Sequence, residues 1–425
     1  MFNIMRGELG MKSIKVVIGS NFGDEGKGLM IDYMCSINEN PVVIRFNSSA
    51  QAGHTVVTPD SKRHIFGHFG AGSLQGIPTF LSNYFSVNPL LFLKEYDELI
   101  KIGIIPITMI DTNCPVVIPQ DMILNQILER HRGNNKHGSC GLGYNESIVR
   151  NSMDRYKITC GDIFSGIYKD KLELIKKEYI DKRLEQLNLK SLDPQLNLKP
   201  SNDNLMNILF DANIIEHFIY DVDNNFKSKV EMSNIESILE NYQTPIFEGA
   251  QGLMLSEDYK YFPYVTHSKT GISNVIDLLE KAKLSELDIE VIYVTRSYLT
   301  RHGAGPIPNE MKDKPYKNIT DLTNIQNEFQ GVLRFAPLDI DLLSENIEND
   351  YNKMHFKSKN KKINISKSIA ITCLDQIDNN KAEYYKDNNL LLKNTDKFIK
   401  DILRKINPDN CYLSYGASRD NIVKY

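Results

Sequence analysis

Short runs of branched apolar residues, each followed by a glycine-rich or polar turn, recur along this chain. The first run spans residues 13–20 and contains a glycine near its end, which is typical of a buried strand in a parallel sheet. Residues 29–34 then carry apolar side chains at helical spacing, and residues 41–46 form a second apolar run. Strand, turn, helix and strand in this order predict a right-handed βαβ unit.

Three later runs repeat this pattern, at residues 245–247, 289–294 and 368–372. In open α/β sheets, ligands bind just beyond the carboxyl ends of the strands, and the polar motifs of this chain follow such runs. We therefore expect an α/β fold with one large domain, residues 12–425, built around a mostly parallel sheet with helical insertions. Residues 1–11 show no periodicity and are interpreted as an N-terminal tail.

Two segments interrupt the strand pattern. Residues 167–243 are rich in Lys, Glu, Leu, Asn and Asp, and are predicted to be helical and divergent. Residues 345–363 are polar and rich in Asn and Lys. Two interpretations stay open for this second segment: an exposed connection, or the solvated face of a helix.

The composition narrows the class of protein. The 425 residues are 41% hydrophobic and 24% charged, which is ordinary globular usage. A net charge of -4 argues against a nucleic-acid-binding protein held by phosphate contacts. The apolar runs are far shorter than the roughly 20 residues of a membrane span, and no secretory signal is expected. Six scattered cysteines without a Cys-x-x-Cys pair favour a reduced, cytoplasmic setting.

The turn after the first apolar run reads Gly-Asp-Glu-Gly-Lys-Gly, from Gly23 to Gly28. Its glycines allow backbone N–H groups to approach an anion closely. The start of the following helix and the ammonium of Lys27 add positive charge. The turn therefore predicts a phosphate cradle, although it is not the Gly-x-x-x-x-Gly-Lys-Ser/Thr form. Asp24 and Glu25 within it indicate a bridging Mg²⁺ or a base aimed at the substrate.

A second motif, Ala-Gln-Ala-Gly-His-Thr at residues 50–55, follows the second apolar run. His54 is a candidate to donate a proton to an oxygen that gains charge. A single histidine is more often a structural residue. Its position opposite Asp24 in the same βαβ unit favours the functional role.

The two motifs together resemble those of the adenylosuccinate synthetase family, which shows Gly-Asp-Glu-Gly-Lys-Gly and Asn-Ala-Gly-His-Thr at its first two strand ends. Further similar motifs follow in the family's order, at residues 137–150, 247–252, 261–266, 300–306, 371–375 and 414–416. The resemblance covers roughly residues 12–425 apart from the two divergent segments. It implies that family's fold, which is similar to the P-loop NTPases.

The resemblance implies a ligase that condenses IMP with L-aspartate to give adenylosuccinate, in AMP biosynthesis. GTP hydrolysis would drive the reaction through a 6-phosphoryl-IMP intermediate, with one Mg²⁺ ion per site. The implied partners are these small molecules and a second copy of the chain in a homodimer, with no nucleic acid and no membrane.

The resemblance also implies roles for individual residues. Asp24 matches the family's base and Mg²⁺ ligand, His54 its acid, and Lys27 the cation that neutralises the transferred phosphoryl group. The Gly53 carbonyl matches a second metal ligand, and Arg334 an aspartate- or phosphoryl-binding position. Phosphate- or GTP-binding positions are matched by Gly23, Glu25, Gly26, Gly28, Asp375, Ser414 and Gly416. IMP-binding positions are matched by Gln51, Cys140, Arg150, Gln251 and Thr266. In the family, the arginine that Arg150 matches comes from the other subunit.

Several positions depart from the family pattern. Cys140 replaces a threonine at the nucleotide phosphate, and Val332 stands where an arginine of the aspartate loop is expected. Residues 300–306, Thr-Arg-His-Gly-Ala-Gly-Pro, resemble the family's Thr-Arg-Val-Gly-Ala-Gly-Pro. Cys373 replaces a lysine near the guanine-binding aspartate. Because aspartate has two carboxylates, losing one guanidinium should weaken its binding or change the amino-acid partner.

Two alternatives to the housekeeping enzyme therefore stay open. One is a viral-type relative that uses GMP or dGMP to make 2-amino-(deoxy)adenylosuccinate, although the best-known viral members replace the matching aspartate with serine. The other is a nucleotide-binding regulator without catalysis, against which Asp24, Lys27 and His54 argue. The choice between IMP and GMP or dGMP, and between GTP and ATP, stays open at this level.

Overall fold

The fold was analysed in a computed structural model that describes residues 11–133, 140–189, 201–282, 284, 286–320, 332–356 and 362–425, with the backbone alone for 201–204. The predicted tail thus lies outside the described residues except for Met11. The same holds for residues 137–139 of the motif that precedes Cys140.

Strands alternate with helices along most of the chain. Within the described residues the strands are β1 (Lys12–Gly19), β2 (Pro41–Arg45), β3 (His54–Val57), β4 (Arg63–Phe66), β5 (Thr79–Leu81), β6 (Thr108–Asp111), β7 (Glu231–Ser233), β8 (Thr244–Glu248), β9 (Glu286–Arg296), β10 (Tyr298–Arg301), β11 (Arg334–Asp339), β12 (Lys362–Thr372), β13 (Lys381–Lys386), β14 (Asn389–Asn394), β15 (Asn410–Ser414) and β16 (Ile422–Lys424). The α-helices are α1 (Lys27–Ile37), α2 (Pro89–Lys101), α3 (Pro119–Arg132), α4 (Tyr144–Asn151), α5 (Cys160–Ser165), α6 (Tyr168–Leu174), α7 (Ile180–Gln186), α8 (Ser201–Phe210), α9 (Ala212–Asp221), α10 (Ile235–Asn241), α11 (Ser273–Lys281), α12 (Ile340–Tyr351) and α13 (Thr395–Ile406).

A ten-stranded sheet forms the centre of the molecule, in the order β16-β15-β12-β9-β1-β8-β2-β5-β6-β7. Its neighbouring strands are parallel except for β16, which runs antiparallel to β15. A smaller sheet contains β10, β11, β13 and β14, and β3 pairs with β4. The predicted α/β fold with a mostly parallel sheet is confirmed.

Both faces of the central sheet are covered by apolar residues. Along β1, Val16 and Ile18 contribute to one core while Val17 contributes to the other, because successive side chains of a strand point to opposite faces. Helix α1 supplies Met30 to the second core, and α11 supplies Leu278 to the first. Burial on both faces explains why the central strands are continuous apolar runs.

The two divergent segments of the sequence have different structures. The described part of 167–243 contains helices α6–α10, and short strand β7 extends the sheet at its edge. Two five-residue π-helical stretches, Ile175–Tyr179 and Val222–Phe226, continue α6 and α9.

Among the described residues, no helix combines the length and the apolar character needed to cross a membrane.

For the first part of residues 345–363, the helical interpretation is the correct one. Residues 345–351 end α12 and leave Glu345 and Asn349 exposed, but they also bury the opposite face of the helix. Ile347 is fully buried, and the buried Asp350 carboxylate accepts hydrogen bonds from the Ile272 N–H (3.1 Å) and the Tyr293 hydroxyl (3.0 Å). Burial raises the pKa of Asp350 to about 6. These tertiary partners allow a polar-looking segment to pack as a helix. Residues 357–361 lie outside the described part, and β12 begins at Lys362.

Candidate active site

A cavity of about 690 Å³ lies beyond the carboxyl ends of the central strands. Its wall includes residues 22–28 after β1, residues 51–55 before and within β3, residues 262–267, Arg296 at the end of β9, and residues 301–304, which begin with the last residue of β10. The sequence motifs that are far apart along the chain therefore meet at one edge of the sheet, as parallel strands require.

The glycine-rich turn leads directly into α1, whose N-terminus has no side-chain cap and no acidic residue in its first turn. Gly26 precedes the helix with φ +92°, a conformation that glycine adopts at little cost. The first N–H groups of a helix lack intrahelical partners and attract anions. This part of the cavity is therefore suited to hold a phosphate group.

Close packing brings the charged side chains of the turn together. A Cβ atom added to Gly19 would lie 2.0 Å from Oε2 of Glu25 and 2.8 Å from Nζ of Lys27. A Cβ atom on Gly28 would lie 3.2 Å from Cβ of His54. Only glycine fits at the first position without displacing these groups, and the second holds α1 against β3.

Lys27 and Glu25 form a buried ion pair, with 3.3 Å between Nζ and Oε2 and exposed fractions of 4% and 2%. Burial raises the pKa of the Glu25 carboxyl, although Lys27 opposes the shift. The Thr372 hydroxyl donates to the Glu25 carbonyl at 2.8 Å, so the turn is anchored to the end of β12. Lys27 is thus held in place beside the N-terminus of α1.

His54 is oriented by a carboxylate that sequence analysis left without a role. Its Nδ1 contacts Oε1 of Glu248 at the end of β8, and Oε2 of Glu248 accepts the Ala71 N–H at 2.9 Å. An ionised carboxylate only accepts hydrogen bonds, so Nδ1 of His54 carries the proton. Nε2 is buried and has no hydrogen-bond partner in the described part of the chain.

A buried arginine influences the ionisation of Glu248 and His54. Arg45 is fully buried, and its Nη1 donates to the carbonyls of Gly67 (2.9 Å) and Phe69 (3.3 Å). Burial alone would raise the pKa of Glu248, but Arg45 and His54 outweigh it and lower the pKa. Burial, the largest effect on His54, lowers the pKa of its imidazole. At neutral pH, the structure therefore favours an ionised Glu248 and a neutral His54.

Four of the five residues assigned to the nucleotide monophosphate line the cavity. The side chains of Gln51 and Thr266 approach to 3.4 Å, and Sγ of Cys140 lies 3.8 Å from Oε1 of Gln51. Gln251 directs its Nε2 to the Ser48 hydroxyl at 2.9 Å, and its Oε1 is buried without a partner among the described residues. These polar side chains line one wall of the cavity together with the glycine-rich turn.

Arg150, the fifth of these residues, does not line the cavity. Its side chain is fully buried and pairs with Asp121, with distances of 2.9 Å from Nε to Oδ1 and 2.8 Å from Nη2 to Oδ2. It also donates to the carbonyls of Val116 and Tyr156. For Arg150 to reach the site of a partner subunit, as the resemblance implies, each of these bonds would have to break.

Arg150→Met is expected to destabilise the fold by about 3–5 kcal/mol, because it leaves the Asp121 carboxylate buried without its partner. The free energy of unfolding from denaturant titration measures the change. Arg155→Met is the matched control, since Arg155 is 61% exposed in its ion pair with Glu178 and should cost at most about 1 kcal/mol. An Arg150 variant with full stability but a raised KM for the nucleotide would support the assignment of Arg150 to IMP binding.

Arg334, which the resemblance assigns to aspartate or phosphoryl binding, makes its described contacts within the protein. Its guanidinium pairs with Glu310 at 2.8 Å and donates to the carbonyls of Gly303 (3.0 Å) and Gly305 (2.6 Å). Arg334 is not part of the cavity wall, so it braces the loop after β10 rather than facing the cavity. Val332, two residues earlier, is 62% exposed.

The residues assigned to the guanine ring lie at the same edge of the sheet but outside the cavity wall. Ile371 of β12 is in register with Leu413 of β15, which brings the turns after the two strands side by side. Asp375 is exposed in the first of these turns. The Ser414 hydroxyl donates to the Gly416 carbonyl at 2.8 Å, so it stabilises its own turn.

Arg296, the last residue of β9, was missed by the sequence analysis. Its Nε donates to the Asp24 carbonyl, and its Nη1 to the Tyr298 hydroxyl at 3.2 Å. It lines the cavity and joins β9 to the glycine-rich turn. The signal was available, because Arg296 directly follows an apolar run at the ligand-binding edge.

The fit of Mg²⁺ rests on Asp24 and the Gly53 carbonyl, which line the same cavity. Within the described residues, no group of three or more His, Cys, Asp or Glu side chains could hold a metal ion. Mg²⁺ commonly takes one or two protein oxygens and completes its shell with water and substrate phosphates. The donor set therefore fits an ion that binds together with a nucleotide.

The fold and cavity define an α/β protein with a glycine-rich turn before a helix at the carboxyl edge of a parallel sheet. A family model described as adenylosuccinate synthetase matches residues 16–333, so the chain belongs to the adenylosuccinate synthetase family. It is 30% identical over 309 residues to the adenylosuccinate synthetase of Clostridium botulinum strain Eklund 17B, covering 70% of this chain and 66% of that protein. It is 27% identical over 327 residues to the one from Azobacteroides pseudotrichonymphae, covering 76% and 71% of the two chains.

Two solved structures share the fold. Adenylosuccinate synthetase from Plasmodium falciparum superposes with a TM-score of 0.67 at 18% identity, covering 97% of this chain and 99% of that one. The succinoaminodeoxyadenylate synthetase of cyanophage S-2L, bound to dGMP and dATP, gives 0.59 at 14% identity, covering 97% and 95%. At these identities the similarity concerns the fold.

Proposed function

We propose that this protein is a ligase that condenses IMP with L-aspartate while GTP is cleaved to GDP and phosphate. The observation that carries the proposal is the meeting of Asp24, Lys27 and His54 in one cavity, with His54 oriented by Glu248 and its Nε2 unpartnered among the described residues. Membership of the family supports the same reaction.

The 6-oxo group of a purine is a poor leaving group, so it must first be activated. Asp24 is the proposed base that removes the N1 proton, which makes O6 an oxyanion. O6 then attacks the γ-phosphorus, and the bond from that phosphorus to the β-phosphate oxygen breaks to release GDP. The aspartate amine next attacks C6, the C6–O6 bond breaks, phosphate leaves, and the nitrogen loses a proton to give adenylosuccinate.

His54 and Lys27 act on the charge that develops in these steps. Since Nδ1 of His54 is held by Glu248, a proton on Nε2 makes an imidazolium that Glu248 stabilises. Nε2 is unprotonated in the neutral imidazole, so it would take up a proton before it donates to O6 or to an oxygen of the transferred phosphoryl group. The negative charge of bound phosphates would favour this protonation. Lys27 would neutralise the phosphoryl oxygens, where positioning and electrostatics supply most of the catalysis.

Asp24 and the Gly53 carbonyl would hold Mg²⁺ together with the nucleotide phosphates. When bound, the ion supplies further charge neutralisation at those phosphates.

A phosphate-release assay with L-aspartate and GTP, run in parallel with IMP, GMP and dGMP, tests the proposal. Phosphate release that requires both IMP and aspartate is the expected result. Turnover with GMP or dGMP but not IMP would instead indicate the viral-type reaction, whose cyanophage representative shares the fold. Absence of turnover with every nucleotide, in a protein that binds them, would indicate a regulator.

GTP is expected to be preferred over ATP by at least about tenfold, because loss of hydrogen bonds to a charged group costs about 1.5–3 kcal/mol each. Asp375 would accept from guanine N1–H and the 2-amino group, whereas adenine N1 is itself an acceptor. The ratio of kcat/KM for the two donors, in wild type and Asp375→Asn, measures the preference. Asp378→Asn, in the next turn, is the control. A preference that survives Asp375→Asn would exclude this role.

We also propose a cytoplasmic homodimer, which rests on family membership. For Arg150 to complete the partner's site, its buried ion pair with Asp121 would have to break. Sedimentation equilibrium at assay concentration should show twice the chain mass of 48.6 kDa. A fully active species with the mass of one chain would contradict the dimer.

A further inference from the structure

The loop after β10 contains buried nitrogen atoms with no hydrogen-bond partner among the described residues. They are Nε of Arg301 and both ring nitrogens of His302. Arg301 and His302 are adjacent in the chain, and both line the cavity. Because buried polar atoms in proteins are usually paired, these nitrogens indicate that a ligand with acceptor atoms completes this wall.

The charge of the loop favours an anionic ligand. The guanidinium of Arg301, whose residue is 2% exposed, donates to the carbonyls of Pro306 (2.5 Å) and Tyr264 (2.7 Å). Burial, and then repulsion from Arg334, lower the pKa of Arg301 to about 10. An anion on the cavity side would stabilise the charged form of Arg301.

Most other cations at the cavity are already bound within the protein. The ion pairs of the wall are Lys27 with Glu25, Arg132 with Glu129 and Arg183 with Glu146. Arg296 is bound to the Asp24 carbonyl, and Arg334 braces the loop from outside the wall. By contrast, neither ring nitrogen of His302 has a hydrogen-bond partner within the described part of the chain.

We propose that His302 binds a carboxylate of the dicarboxylic amino-acid substrate, with Arg301 supplying the neighbouring positive charge. This proposal rests on the proposed function. The phosphate groups already have the glycine-rich turn and the start of α1, whereas the described residues near Val332 offer no guanidinium to the cavity. A ring N–H that donates to a carboxylate oxygen is a charge-assisted hydrogen bond, and it would compensate for the arginine expected at position 332.

The test compares His302→Val, which removes both nitrogens, with His302→Gln, which keeps a donor. At saturating nucleotide and GTP, His302→Val should raise the KM for L-aspartate by about tenfold or more. The inhibition constant of succinate, which has both carboxylates but no amine, should rise in parallel. His302→Gln should recover part of the loss, and the KM for nucleotide and for GTP should change by less than about threefold.

His217→Val is the matched control, because His217 is exposed on α9 outside the cavity. Calorimetric titration with succinate provides a measurement that does not need turnover. If wild type turns over but the KM for aspartate and the affinity for succinate are the same in His302→Val, the proposal is overturned. A rise confined to the KM for the nucleotide also overturns it. The proposed function fails separately, when wild type releases no phosphate with any nucleotide.

Discussion

Asp24→Asn should reduce aspartate-dependent phosphate release to below a few per cent of wild type while the fold stays intact. Asparagine keeps the size of the side chain but cannot accept the N1 proton, and a positioned base alone contributes roughly 10²- to 10⁴-fold. The substitution would also replace the proposed charged ligand of Mg²⁺ with a neutral one, which would weaken binding of the ion. The two losses act on the same phosphoryl transfer step.

The backbone of Asp24 decides which substitution is informative. Asp24 has φ +57°, and asparagine tolerates this left-handed region better than alanine does. Asp24→Asn therefore separates chemistry from backbone strain, and its unfolding midpoint should match that of wild type. Asp97→Asn, at an exposed position of α2, controls for loss of a carboxylate elsewhere. Retention of more than a few per cent of turnover would show that Asp24 is not the base.

His54→Ala is expected to lower kcat by roughly 10²- to 10⁴-fold, the usual contribution of a positioned acid or base. Nε2 of His54 is buried beside the cavity and has no partner among the described residues, so the substitution removes the proposed donor to O6. Pre-steady-state phosphate release measures the phosphoryl step directly. A loss below about tenfold would assign the donor to another group.

The pH dependence distinguishes an acid from a packing residue. Burial lowers the pKa of His54 below its ordinary value of 6.5, so in the free protein the protonated form is lost as pH rises through that lower value. kcat/KM should therefore fall with rising pH in that range, and this limb should be absent in His54→Gln, which does not titrate. Glu248→Gln should reduce activity as well, because it removes the charge that stabilises the imidazolium. A limb that persists in His54→Gln would belong to another group.

Local features of the sequence were sufficient to predict the first strand, the glycine-rich turn and the first helix. The apolar run of β1, the glycine-rich turn and the start of α1 are contiguous, so hydrophobic pattern and glycine placement suffice to predict them. The rule that parallel strands end at one edge then places Asp24, Lys27 and His54 together, and the structure shows them lining one cavity. These predictions succeeded because each rests on residues close in the chain or on a general property of parallel sheets.

Only the tertiary structure decided which partner each buried side chain takes. Glu248 is 194 residues from His54, and Arg150 is 29 residues from Asp121; sequence spacing predicts neither pair. Whether an arginine faces a cavity or closes a buried ion pair depends on how the helices pack around it. Residues 345–351 show the same limit, because Asp350 is buried through contacts with Ile272 and Tyr293. Charge and polarity are local properties of a sequence, whereas burial and pairing are set by the fold.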